Sequence, residues 1–163
     1  MRYLFFAVIF SVIFSSCGKD KFTSAPQITF KSIASSYVSN SPFGTAPPLL
    51  TLELTDAEGD FGFAEGKDTS YVYVKNISIP PFRMDSFKFP SSLSKAVKKN
   101  FKADLEVDLT GDKTIAGSNV LFIPSTRPRP KTDTLYFEVY VKDFAKNKSN
   151  VIKTTDPLFL IVP

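Results

Sequence analysis

Histidine and tryptophan are absent from the 163 residues, and cysteine occurs once, at position 17. Without histidine there is no imidazole zinc ligand and no Ser-His-Asp triad, and beyond Cys17 there is no thiol nucleophile. Most hydrolase chemistry goes with them, so the chain is not expected to be an enzyme. A single cysteine also excludes a disulfide framework within the chain, and a body of this length does not need one. Long helical patterns are scarce. Phenylalanine (17), tyrosine (6) and proline (12) are plentiful instead, a composition that favours β structure.

The amino-terminal stretch sets the location. Arg2 precedes an apolar run from Tyr3 to Phe14, broken only by Ser11, and then come Ser15, Ser16 and Cys17. The run is too short to span a bilayer and has the order of a secretory signal helix followed by small residues. Phe14-Ser15-Ser16-Cys17 resembles a bacterial lipobox, with phenylalanine where leucine is commonest. That resemblance implies cleavage before Cys17, acylation of its sulfur and new amino group, and a protein anchored by lipid in the outer membrane rather than spanning it. The expected organisation is a signal peptide over 1–16, a lipidated Cys17 with a flexible tether over 17–26, and one domain over 27–163. Gly18-Lys19-Asp20-Lys21 carries a reduced version of the acidic sorting cluster of Bacteroidetes-type lipoproteins, which leaves cell surface and periplasmic face both open. The mature chain has 19 basic residues (20 less Arg2) against 16 acidic ones, too small an excess to point to nucleic acid.

Period-two alternation marks the body. Strands are expected at Gln27–Ile33, around Leu50, Leu52 and Leu54, at 70–79, around Phe87 and Phe89, at Phe101–Leu109, at Val120–Ile123, at Thr134–Lys142, and at Asn150–Thr154 running on to Leu158–Val162 with an interruption at Pro157. The proline-rich stretch over 35–48 reads as an edge or crossing segment, and 124–131 as an exposed connection. Ser91–Lys99 has the pattern of a capped helical turn. Short strands at turn-marked spacing predict an all-β fold, an immunoglobulin-like two-sheet antiparallel sandwich of about seven to eight strands. Leu52-Glu53-Leu54-Thr55-Asp56-Ala57-Glu58-Gly59-Asp60-Phe61-Gly62 and the segment Phe137–Asn150 resemble the two signature turns of small uncharacterised Bacteroidetes-type lipoproteins with an immunoglobulin-like (cadherin-like) domain. The resemblance implies architecture and location, and no chemistry.

Asp56, Glu58 and Asp60 in one turn, with Asp143 and Asn147 in another, could supply oxygens to calcium if the two turns meet, whereas Asx-turns would use the same residues without metal. No other cofactor is expected. Tyr71, Tyr73, Tyr136 and Tyr140 fall on neighbouring strands and could form an aromatic platform for a sugar, or simply a β-favourable outer face. Arg127-Pro128-Arg129-Pro130 reads as a solvated loop or a basic finger toward an anionic glycan or headgroup. Asp133-Thr134-Leu135 resembles an O-glycosylation acceptor, which implies a surface position for Thr134. Ser92-Leu93-Ser94-Lys95 matches a Ser-x-x-Lys pattern in a chain lacking its companion motifs. The expected function is a lipid-anchored, non-catalytic binding or interaction module with a glycan or an envelope protein as partner. The alternative is a structural spacer or accessory subunit of an envelope complex.

Overall fold

The computed structural model describes residues 22–34, 36–38, 46–61, 70–89, 99–110, 120–122 and 125–163. The signal run, Cys17, Gly62, the Ser92–Lys95 motif and all but the last residue of the expected helical turn lie outside them. Among the described residues the chain is all β, with ten strands, one three-residue 3-10 turn and no α-helix. The strands are β1 (Gln27–Ile33), β2 (Ser36–Val38), β3 (Leu49–Asp56), β4 (Tyr71–Asn76), β5 (Met84–Lys88), β6 (Phe101–Asp108), β7 (Lys131–Leu135), β8 (Phe137–Lys142), β9 (Ile152–Lys153) and β10 (Leu158–Val162). The body begins before residue 27: the Ala57 amide donates to the Thr23 carbonyl at 3.0 Å, and Pro26 is buried.

Three sheets form, ordered β1-β3-β6, β5-β4-β8-β9 and β2-β10-β7. Pairing is antiparallel except that β2 runs parallel to β10, an edge position that suits the proline-rich flank expected to stay out of a sheet interior. Alternation decides what lies inside. Leu50, Leu52 and Leu54 of β3, Val72 and Val74 of β4, Val139 and Val141 of β8, and Leu158 and Leu160 of β10 are each fully buried, and all three sheets contribute to one hydrophobic cluster. Burying each such side chain is worth about 1.5–3 kcal/mol.

Two segments differ from the sequence expectation. Thr134–Lys142 was expected as one strand and is two, since β7 pairs with β10 while β8 pairs with β4 and β9. The chain passes between sheets at Tyr136, whose amide donates to Ser78 Oγ at 2.7 Å and whose carbonyl accepts from Ile77 N at 3.0 Å. The carboxy-terminal strand divides, as the interruption at Pro157 predicts, into β9 and β10, and with β7 and β8 separate the described strands exceed seven or eight. Val120–Phe122 is a 3-10 turn and not a strand. Consecutive Leu121 and Phe122 are both buried, which a strand with one open face cannot achieve, and the Leu121 carbonyl accepts from the buried Asn76 side-chain nitrogen at 2.8 Å.

The outer face of the first sheet is neutralised locally. Glu53 and Asp104 stand directly opposite each other on β3 and β6, a repulsive pairing. A bulge between Phe30 and Ser32 presents Lys31 to both, at 3.4 Å from Glu53 and 2.6 Å from Asp104, and Lys102 reaches Glu53 at 3.1 Å. The hydrogen bond with Asp104 leads the effects that raise the Lys31 ammonium above its ordinary range. Glu106 is exposed, and Asp108 accepts from the Thr110 amide and hydroxyl at 2.8 and 2.6 Å. These carboxylates face water and form no cleft.

Candidate functional site

Two places concentrate chemistry, and alternation creates both. At one pole the inward positions of β3 and β8 end in carboxylates where the preceding ones are apolar. Asp56 follows Leu50, Leu52 and Leu54 inward, and Asp143 follows Val139 and Val141; both are fully buried. Asp56 Oδ2 accepts from the amides of Glu58, at 3.1 Å, and Gly59. Gly59 has φ of 68°, the left-handed region in which glycine carries no Cβ penalty. Asp143 Oδ1 accepts from the Asn147 amide at 2.7 Å and Oδ2 from the Asn147 side-chain nitrogen at 2.9 Å. The first turn therefore has Asx geometry, and in the second the Asp143 carboxylate is held by the residue four positions on; neither hydrogen-bond set needs a metal.

The two turns also meet. The Phe144 amide donates to the Asp60 carbonyl at 3.1 Å, and burial, then the charges of Asp143 and Asp56, push the Asp60 carboxyl above the usual carboxylate range. Ser70 and Asp143, each one residue past the terminal Tyr71–Lys142 pair of β4 and β8, are both fully buried. Among the described residues, three buried side-chain oxygens have no hydrogen-bond partner: Asp56 Oδ1, Asp60 Oδ1 and Ser70 Oγ. All three belong to this pole. Of the five residues expected from sequence, Glu58 is exposed and Asn147 is engaged with Asp143, while Ser70, outside that set, continues the inward parity of Val72 and Val74. Among the described residues no three Asp, Glu, Cys or His side chains are grouped so as to hold a metal by themselves.

The second place is the outer face of the four-stranded sheet. Its register sets Lys88, Tyr71 and Lys142 in one row, Ser86, Tyr73 and Tyr140 in the next, and Met84, Lys75, Glu138 and Lys153 in a third. Tyr73 and Tyr140 stack with ring centroids 4.7 Å apart and planes 8° from parallel, and Tyr71 leans on Tyr73 at 6.3 Å. Lys142 Nζ lies 5.5 Å from the Tyr73 centroid and Lys148 Nζ 4.2 Å from that of Tyr140. The space between the rings admits no ammonium, so each lysine covers the outward face of its ring. What the stack presents to solvent is ring edges, hydroxyls and two ammonium groups. Tyr140 Oη reaches Met84 Sδ at 3.9 Å, and burial, followed by Tyr73, raises its phenol above the ordinary value.

Tyr136 is not part of this stack. It sits at the crossing from β7 to β8, beyond the Lys75–Glu138 row, with no ring contact to the other tyrosines. The platform expected from four tyrosines is therefore three, and lysines occupy the ring faces a neutral sugar would use. The basic finger differs too: Arg127 folds back on Asp133 and on the Thr132 carbonyl, at 3.2 Å, while it and Arg129 both stay exposed. Thr134 is exposed on β7. No helix among the described residues is long and apolar enough to cross a membrane. No protein-family model matches the chain, and neither a curated protein nor a solved structure matches it significantly.

Proposed function

We propose that the chain is a lipid-anchored, non-catalytic binding module of the outer cell envelope, an immunoglobulin-like sandwich held by Cys17, whose outer sheet face takes an anionic glycan. The observation that carries the binding reading is the Lys142-Tyr73-Tyr140-Lys148 stack on a solvent-facing sheet. Across the three rows and Lys148, five lysines stand with a single acidic residue, Glu138, which is itself paired with Lys153 at 3.6 Å. Carboxylate or sulfate groups on a glycan complement that charge, while the exposed Met84 and Phe82, with Lys75 Nζ 5.9 Å from the Phe82 ring, offer apolar area to the sugar rings.

The spacer or accessory-subunit alternative draws on Phe159 and Ile161, exposed at 40% and 37% on one side of β10 next to its short edge partner β2. A protein partner there would bury apolar area and be indifferent to salt.

Two measurements test the reading. Cys17→Ser is expected to shift the protein from the membrane fraction to the soluble fraction of the envelope; retention in the membrane would remove the anchor. The full-length protein in detergent is expected to bind polygalacturonate, with no binding to neutral dextran. Tyr73→Ala and Lys148→Ala should each weaken that binding about tenfold, the scale of one desolvated cation–aromatic contact. Binding that ignores both substitutions and added salt would sink the glycan reading.

A further inference from the structure

We propose that Asp56, Asp60 and Ser70 supply the protein ligands of a site for one hard divalent cation, calcium in preference to magnesium, that fastens the β3 turn to the start of β4 beside the β8 turn. The inference stands apart from the glycan face and rests on three oxygens. Buried polar atoms in folded proteins are almost always satisfied, and each exception asks for a physical cause. Here all three exceptions among the described residues fall at one pole, where three separate chain segments converge. Asp56 and Ser70 are fully buried, so water from the bulk does not satisfy them.

An ionised, buried carboxylate with a bare oxygen is costly unless a positive charge or a donor meets it. Asp56 already directs Oδ2 at two backbone amides, which fixes the side chain and leaves Oδ1 without a partner. Asp143 adds a third negative charge and is clamped by Asn147, so it supplies field rather than a free lone pair. Two carboxylates balance a dication. A hydroxyl and nearby carbonyls are the neutral oxygens that such ions accept, and the set contains neither nitrogen nor sulfur, which selects a hard ion over zinc or copper. Ligands drawn from one turn and the start of a strand give an irregular shell. Calcium tolerates that, while magnesium demands a near-ideal octahedron.

The test uses the full-length protein in detergent, stripped with chelator and then titrated with calcium or magnesium alone at neutral pH. Saturating calcium is expected to raise Tm by about 5–10 °C, with magnesium giving less than half that shift. Equilibrium dialysis should find one calcium per chain. Asp56→Asn and Ser70→Ala should each lower calcium affinity at least about tenfold, whereas Glu106→Gln, which removes an exposed carboxylate on β6, should leave it unchanged. If Asp56→Asn does not fold, Ser70→Ala decides, because it removes one hydroxyl and no charge; unchanged affinity in that variant overturns the ligand set. No retained calcium and no Tm shift up to about 10 mM overturns the site. A Tm that rises on acidification but ignores both cations also overturns it, since a proton would then be neutralising the pair.

Discussion

Phe137→Ala is expected to lower the free energy of unfolding by about 3–5 kcal/mol, a large share of the roughly 5–15 kcal/mol that holds an ordinary domain together. Phe137 is fully buried, and its ring meets Phe122 edge-on at 6.4 Å and 89°. Its backbone is held as well: the amide donates to Thr154 Oγ1 at 3.1 Å, and the carbonyl accepts from Thr154 N at 2.9 Å. Across the sheet it pairs with Asn76, whose side chain donates to the Leu121 carbonyl and accepts from the amides of Ser78 and Ile79. Truncation therefore opens a cavity where β4, β8 and the 3-10 turn join, and these surroundings are too constrained to collapse into it. Denaturant melts measure the effect, with Tyr136→Ala as the comparison. That neighbouring side chain is 37% exposed and should cost less than about 1 kcal/mol. Equal losses at the two positions would mean that the inward and outward assignments along this segment are wrong.

The same segment shows what could be read from sequence and what could not. Asp133, Leu135, Phe137, Val139 and Val141 all face inward, so period two runs unbroken across the passage from β7 to β8. Periodicity reports which face a side chain occupies and is silent about which strand lies beside it. With no glycine or proline at Tyr136 to mark the crossing, one long strand was the natural reading. The core faces of β3, β4 and β6 were legible for the same reason, since each carries its own alternation between turn signals. The parallel pairing of the three-residue β2 was not, because its partner β10 lies far along the chain and so short a strand carries little pattern.

The candidate sites divide along that line too. The tyrosines on β4 and β8 were legible by alternation, but Lys148 reaches the Tyr140 ring from the turn after β8, where spacing says nothing about direction. The acidic turns were legible as Asx-forming segments, and their meeting required the fold. Ser70 shares the inward parity of Val72 and Val74, but parity does not say that it lies near the acidic turns. A serine before a Tyr-Val-Tyr-Val strand faces the pole only because β4 pairs with β8 in the observed register. The carboxylates of both turns could be suspected of a shared site from residue type, whereas the oxygen that distinguishes a mixed ligand set from a pair of Asx-turns came from tertiary structure alone.

Asp133→Asn should cost about 2–4 kcal/mol at neutral pH and almost nothing in strong acid, and that pH dependence identifies the source. Asp133 is 2% exposed on the inward side of β7, accepting from the Ser125 amide at 2.8 Å, from Ser125 Oγ at 2.7 Å and from Arg127. Burial alone would push its carboxyl up, but the Ser125 and Arg127 hydrogen bonds, aided by the charge of Lys131, outweigh it and hold the group below the ordinary value of 3.8. A carboxyl depressed on folding contributes stability that is complete above 3.8 and is lost as pH falls through its lower folded value. Asparagine keeps the volume and one acceptor, so its variant lacks that dependence, and the two proteins should converge in the acid limb. Arg127 is 64% exposed, so water screens its pair, and most of the loss comes from Ser125 donors left short of a charged acceptor. Asp60 cannot be mistaken for the cause. Its carboxyl is raised on folding, so its effect has the opposite sign, the cost of its charge being relieved as pH falls through the raised value toward 3.8. The difference between wild type and Asp133→Asn should therefore stay flat from neutrality down to about 3.8 and shrink only below it. A difference that changes above that point would mean that the Asp133 carboxyl is not depressed on folding.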